Sequence, residues 1–170
     1  RDAGFALGMA RGMGSYENAV ASTKAELFEA LLRPLPPSAT VVEVGIGSLP
    51  NAPYYALAGK PLDLLGVDPN DSMAKYAASA AKRLTEAGSS LRVAHGVAEA
   101  LPLASRCADA VVCTLTLCSV ADPAQALSEM RRVLRPGGQL LFLEHVLSET
   151  DAWLAEQQRS ATPLQVASAD

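Results

Sequence analysis

Thr40-Val-Val-Glu-Val-Gly-Ile-Gly-Ser-Leu-Pro50 decides the fold of this chain. Four β-branched residues in the first five positions favour a short strand, because branched side chains pack well on a pleated surface. Gly45 ends that strand. Gly45 and Gly47 together allow the backbone to turn tightly and to approach a ligand closely. A strand feeding directly into a glycine turn is the opening of a β-α unit, and the rest of the chain repeats the alternation.

Upstream, Ser15 is placed to cap a helix over roughly 16–33, with Tyr16, Val20, Leu27 and Leu31 near helical spacing. The prolines at 34, 36 and 37 stop it. Downstream, a short helix is expected at 51–58, then a second strand from Leu62 to Val67 that ends at Asp68. Asn70 is expected to cap a helix over 71–87, with Met73, Tyr76, Ala80 and Leu84 as its apolar face and Gly88 closing it. Leu91–Ala94 reads as a third strand. Ala108–Thr114 reads as a fourth, apolar enough to be buried on both faces. Asp122-Pro123 opens another helix, with Asp at the N-cap, Pro at the first position and Gln125 placed for a capping box. That helix should break at Arg135-Pro-Gly-Gly138, ahead of a fifth strand over 139–144 and a last helix near 151–160. The expectation is an α/β fold, a doubly wound, mostly parallel sheet. In such sheets ligands bind beyond the carboxyl ends of the strands.

The 170 residues fit one domain with a sizeable core. We divide it into an N-terminal helical lid (1–38), a core (39–146) and a partial C-terminal segment (147–170). Half the residues are apolar and the net charge is −4, which excludes the disordered class and offers no basic surplus for nucleic acid. Arg1 in place of Met is expected of a processed or trimmed product. No apolar run reaches the roughly 20 residues of a membrane span. Cys107, Cys113 and Cys118 lack zinc-site spacing and read as reduced packing residues in an intracellular, reducing compartment. No metal site is expected.

Two features point to chemistry. The glycine loop fails as a dinucleotide fingerprint, because Pro50 stands where G-x-G-x-x-G needs its third glycine. Asp68, however, stands 23 positions after Gly45, near the spacing at which an acid binds a ribose diol. A helix-entry aspartate is the alternative, since Asn70 and Asp71 follow.

Four segments extend the pattern: Glu43-Val-Gly-Ile-Gly47, Gly66-Val-Asp-Pro-Asn70, Asp109-Ala-Val-Val-Cys113 and Arg132-Val-Leu-Arg-Pro-Gly-Gly138. In order and spacing they resemble the successive motifs of class I S-adenosylmethionine-dependent methyltransferases, over residues 40–146. Val112-Cys-Thr-Leu-Thr-Leu-Cys-Ser-Val120, Phe142-Leu-Glu-His-Val146 and Met13-Gly-Ser-Tyr-Glu17 resemble the methyltransferase-like protein 7 group, whose animal members are thiol S-methyltransferases. Many of those are membrane-associated through an N-terminal hydrophobic segment. Nothing like that anchor is present here, so membrane attachment is not carried over.

The resemblance implies S-adenosyl-L-methionine as cofactor. Gly45 and Gly47 would pass under its methionine and ribose, with Glu43 steadying the loop or reaching the methionine amino group. Asp68 would bind the ribose hydroxyls, and Pro69 or Asn70 would line the adenine. Where many relatives place an acid on the adenine amino group this chain has Val97, followed by Ala98. Thr114, Leu115 and Cys118 follow the fourth strand, where the methionine end and the acceptor should meet.

Methyl transfer is an in-line displacement and depends mainly on alignment. A thiol acceptor needs only to arrive as its thiolate, whereas an oxygen or amine acceptor needs a general base. His145 with Glu144 is the first candidate base and His95 the second, a structural role being the alternative for both. Tyr16 and Trp153 are candidates to cover the site. The expected function is methylation of a small, apolar acceptor, with a thiol favoured by the resemblance. The alternatives are a quinone, lipid or other metabolite acceptor, or a non-catalytic cofactor-binding scaffold. Class I sheets usually add two strands after the fifth. Only 24 residues follow Val146, and Pro163–Asp170 reads as a polar tail, so the terminal hairpin is expected to be missing and a sheet edge exposed.

Overall fold

The computed structural model describes residues 14–169, and the side chains of 17–160. Its elements are α1 (Gly14–Leu32), β1 (Ala39–Val44), α2 (Ala52–Tyr55, continued as a 3-10 turn over Ala56–Ala58), β2 (Leu62–Asp68), α3 (Met73–Ala80), α4 (Lys82–Glu86), β3 (Ser90–His95), β4 (Ala108–Thr114), α5 (Pro123–Val133), β5 (Leu134–Leu143) and α6 (Ala152–Ala169). Among the described residues the strands form one sheet in the order β3-β2-β1-β4-β5. Every pairing is parallel.

The order reverses between β1 and β4: the chain runs outward from β1 to β2 and β3, then crosses back to β4 on the other side. Val44, the last residue of β1, lies level with Val67 on one side and Cys113 on the other. A crevice therefore opens beyond Val44, at the carboxyl ends of three strands.

Two apolar layers cover the sheet. On one face Phe28, Leu31 and Leu32 of α1 join Tyr55, Ala77, Leu84, Val41 and Leu64. On the other, Ala126, Met130 and Val133 of α5 pack on Val42, Val44, Val67 and Val111. β1 is buried on both faces for this reason, and its β-branched sequence suits that position.

Several local expectations are corrected. Ser15 lies inside α1 rather than at its cap; its side chain and that of Tyr16 fall outside the described residues. The helix expected over 71–87 is two helices with a turn at Ala81, whose ψ of −5° has left the helical range. Its buried stripe is Met73, Ala77, Ala81 and Leu84 in place of the Tyr76–Ala80 face. Asn70 makes an Asx turn, Oδ1 accepting from Ser72 N at 3.0 Å, and stands before Ser72, which holds the N-cap position of α3. Gly88 does close α4, at φ +94°.

At α5, Asp122 Oδ1 accepts from Gln125 N at 3.0 Å, but the Gln125 side chain donates to the Glu99 carbonyl instead of reaching back. Arg135-Pro-Gly-Gly138 is carried within β5 as a bulge: Ala108 pairs with Leu134 and Ala110 already with Gln139. The last helix continues to Ala169, so the segment expected as a polar tail is helical.

Two arginines explain the Arg132–Gly138 segment. Arg132 donates to the carbonyls of Leu101 and Leu103 and to Glu129, pinning the crossover that follows β3. Arg135 pairs with Asp109, whose other oxygen accepts from Thr40 N at 2.8 Å. The motif is architectural: it ties β1, β4 and β5 together at the end of the sheet away from the crevice.

Candidate functional site

Beyond Val44 the chain turns over the top of β2. Gly45 N and Ile46 N both donate to the Val67 carbonyl, at 2.8 and 3.2 Å. Ile46 is buried against Gly66, where a Cβ would stand 2.3 Å from the Ile46 side chain. Gly45 adopts φ +69°, and a Cβ there would lie 2.2 Å from Thr116 Oγ1. Both constraints make glycine necessary at 45. Gly47, at φ +51°, has nothing nearer than 4.0 Å to a Cβ, so its backbone stands bare to the crevice.

Asp68 completes this corner. Its Oδ2 accepts from Gly47 N at 2.8 Å and its Oδ1 from Asn70 N at 2.9 Å. The residue is 9% exposed, at the end of β2. A carboxylate set beside a bare glycine loop is suited to accepting hydrogen bonds from a diol. Pro69 is exposed and Asn70 half-buried next to it.

Glu43 is buried, two residues before Gly45. Its Oε1 accepts from Asn51 Nδ2 at 2.7 Å and its Oε2 from the Tyr55 hydroxyl at 2.7 Å. Burial pushes its carboxyl from 4.5 to about 7, against the opposing pull of the two hydrogen bonds and Lys24. Both of its oxygens are thus bonded to the segment that follows the loop.

The facing wall is the segment after β4. Leu115 holds φ +54°, a costly conformation for a branched apolar residue. Glu144 imposes it, its Oε1 accepting from Thr116 N at 2.8 Å and Leu117 N at 2.9 Å. Thus Glu144 acts on the backbone of this loop, and His145 is exposed beside it. Neither belongs to the wall of the cavity between α1 and the glycine loop, which has a volume of about 570 Å³. That wall comprises Glu17, Asn18 and Ala21 of α1, the loop 45–50, Tyr54, Met73 and Thr114–Thr116.

The remaining sequence candidates scatter. His95 Nδ1 lies 2.9 Å from Asp71 Oδ1 on the surface near β3. Val97 is 46% exposed and bridged to Ala100, while Ala98 is buried beneath it. Glu99 accepts from Ala121 N at 2.7 Å and is committed to the start of α5. Trp153 is exposed on α6, away from the cavity. All three cysteines are free. Cys113 is buried and its thiol is pushed up to about 12, by burial first and the neighbouring Glu144 second. Cys118 Sγ lies 3.6 Å from the Leu115 carbonyl. Among the described residues no cluster could hold a metal.

Sequence reading missed four residues. Asn51 and Tyr55 form an i, i+4 polar pair on the helix that follows the glycine loop, which was a usable signal. Glu17 and Lys24 were not: Lys24 is buried and its Nζ sits 2.8 and 2.9 Å from the two Glu17 oxygens. A lysine on an amphipathic helix normally reads as surface.

Comparison with known proteins accounts for this arrangement. Residues 42–142, more than half the chain, match the methyltransferase domain family. The chain belongs to that family, the S-adenosylmethionine-dependent methyltransferases of Rossmann-like fold. It is 34% identical to thiol S-methyltransferase TMT1A of Homo sapiens over 140 residues, 81% of this chain and 56% of that protein. It is 36% identical to the ubiquinone/menaquinone biosynthesis C-methyltransferase UbiE of Klebsiella pneumoniae over 100 residues, 59% of this chain and 39% of that one. The YcgJ protein of Bacillus subtilis shares the fold with a TM-score of 0.65 at 23% identity, over 82% of this chain and 58% of that one. The chain thus spans about half the length of its relatives. The site fits the family's cofactor, S-adenosylmethionine: a bare glycine loop at Gly47, the Asp68 carboxylate beside it, and a large cavity at the strand ends. Among the described residues no helix is long and apolar enough to cross a membrane.

Proposed function

We propose that this chain transfers the methyl group of S-adenosylmethionine to a small thiol. The cofactor supplies an electrophilic methyl group on a positively charged sulfur. Asp68 would hold the ribose hydroxyls, Gly45 and Gly47 would underlie the ribose and methionine, and Pro69, Asn70, Val97 and Ala98 would border the adenine. Thr114 and Leu115 would flank the methionine end, beside the acceptor space.

The observation that carries the thiol reading is the chemistry of the cavity wall. Glu17 and Tyr54 are the ionisable residues among the described ones lining it. Glu17 has both oxygens on Lys24. Burial, then the Glu17 charge, raises the Tyr54 phenol above its ordinary value. A raised phenol keeps its proton near neutral pH, so Tyr54 is no base there, and the Glu17 carboxylate is engaged by Lys24. An acceptor that ionises by itself suits such a site, and a thiol with a pKa of about 8.5 does so in part at pH 7. The likeness to thiol S-methyltransferase TMT1A agrees with it. The wall is otherwise largely apolar, from Ala21, Leu49, Pro53, Met73 and Leu115, which fits an apolar acceptor.

The likeness to UbiE supports a second reading, methylation of a quinone-type carbon. Such an acceptor would need its own deprotonation step, for which Glu144 and His145 are placed outside the cavity wall.

Calorimetry with S-adenosylmethionine and S-adenosylhomocysteine, on the wild type and Asp68→Ala, tests the cofactor. Saturable binding of both, weakened about tenfold or more in the variant, is expected for loss of charge-assisted hydrogen bonds. A folded chain that binds neither refutes it. A screen of thiols, phenols and amines with labelled cofactor then tests the acceptor: turnover confined to phenols or amines refutes the thiol reading.

A further inference from the structure

The glycine loop is closed by side chains from either end. Glu43 precedes it on β1 and Asn51 follows Pro50, both fully inside the protein. Asn51 Nδ2 donates to Glu43 Oε1 at 2.7 Å and to Thr114 Oγ1 at 3.0 Å. One amide group therefore joins β1, the entry to α2 and the end of β4, across the point where the strand order reverses. Tyr55, one helical turn further on, occupies the second Glu43 oxygen.

The remaining polar atom of this group, Asn51 Oδ1, is buried without a partner. Such atoms are rare in folded proteins because burial strips their water. Turning the amide over would not relieve it, since the carbonyl would then face the Glu43 carboxylate and lose both donated bonds. The unfavourable carbonyl is tolerated because both amide hydrogens are required where they are.

We propose that Asn51 is a positioning residue for the cofactor site: its amide sets the path of residues 45–50, and so the Gly47 N–H that meets Asp68, relative to the wall at Thr114–Thr116. Its consequence for binding rests on the cofactor reading above; its role in the loop does not. The charged and titratable groups around it are Glu43 and Tyr55, with Lys24 and Glu17 of α1 acting on Glu43 from farther off.

Asn51→Asp tests it, because Asp has the same shape but donates only when protonated. In the ligand-free protein, amide hydrogen exchange at 45–50 should accelerate about tenfold or more at pH 8, the equivalent of one lost hydrogen bond to a charged group, and return toward wild type near pH 5.5. Asn51→Leu should be fast at both pH values. Both variants should weaken S-adenosylmethionine and S-adenosylhomocysteine in parallel at pH 8. Wild-type exchange and affinity in Asn51→Asp at pH 8 would overturn the proposal. Tyr55→Phe guards against a general loss of packing: it keeps the Asn51 bridge, so the loop should stay within about threefold of wild type, a loss well under one full hydrogen bond. A loop as loose as that of Asn51→Asp in this variant also overturns the assignment. Should Asn51→Leu not fold, the Asn51→Asp pH comparison decides alone. If wild type binds neither ligand, the cofactor reading fails while the exchange result still stands or falls separately.

Discussion

Replacing Glu43 by Gln should abolish a stability loss that the wild type suffers as pH rises toward neutrality, a change whose sign the structure fixes. The folded protein holds the Glu43 carboxyl at about 7, chiefly through burial. In the unfolded chain the group returns to an ordinary value near 4.5. The folded state therefore keeps a proton that the unfolded state releases. Stability from this group is fully present below about pH 4.5, falls as pH rises toward about 7, and is flat above that. With about 1.4 kcal/mol per pKa unit, the loss between pH 5 and pH 8 comes to about 2.5 kcal/mol. Gln carries no such proton. It also rearranges the bonds to Asn51 and Tyr55, but that cost is the same at both pH values and cancels from the comparison. Urea denaturation of both proteins at pH 5 and pH 8 reads the quantity directly, given a two-state transition with equal slopes. The stability difference should move by about 2.5 kcal/mol in favour of Gln from the lower to the higher pH. A difference that stays constant within about 0.5 kcal/mol would show that the buried carboxyl titrates normally, and the reasoning would fail.

Gly45→Ala combines a left-handed backbone with a Cβ 2.2 Å from Thr116 Oγ1. Thermal denaturation should show a loss of about 1–3 kcal/mol, and weaker cofactor binding should accompany it; an unchanged melting temperature would contradict the loop geometry. Cys113, buried with its thiol pushed up to about 12, should stay unalkylated in native protein at pH 8. Peptide mass spectrometry after iodoacetamide reads this, and rapid native labelling of Cys113 would refute it.

The fold was legible because its signals are local and redundant. β4 needed only an apolar run, and β1 needed β-branched residues ending in glycine. Those patterns reflect burial on both faces of a parallel sheet. The boundaries that failed depend on tertiary partners. The break at Ala81 leaves no mark in a stretch rich in alanine and lysine, and the Arg135–Gly138 turn joins the sheet only because Asp109 and β4 lie beside it. In the site, Asp68 could be found from its spacing to Gly45, whereas the Lys24–Glu17 pair could not, because its partner ring on Tyr54 and the buried Glu43 come from distant elements.

The acids at the carboxyl ends of the strands show why reading a site from sequence over-assigns catalysis. Glu43, next to last in β1, holds Asn51 and Tyr55. Glu99, after β3, holds the backbone before α5. Glu144, after β5, holds the backbone after β4. In each case a carboxylate satisfies N–H or O–H donors of a neighbouring segment; those held by Glu43 are buried and would otherwise be unpaired at a cost. Position alone cannot separate such an anchor from a ligand-binding acid, since both belong where strands end. Spare acceptor capacity facing the crevice can. Asp68 has spare capacity: one accepted bond on each oxygen, from Gly47 and Asn70, leaves a further lone pair on both beside the bare Gly47 backbone. It is still an anchor as well, so Asp68→Ala removes a loop contact together with a ligand contact. Asp68→Asn keeps one oxygen for Gly47 N but turns an NH2 toward Asn70 N, so loop amide exchange must be read beside affinity: a cofactor loss with wild-type exchange at 45–49 belongs to the ribose contact, and one with faster exchange belongs to the loop.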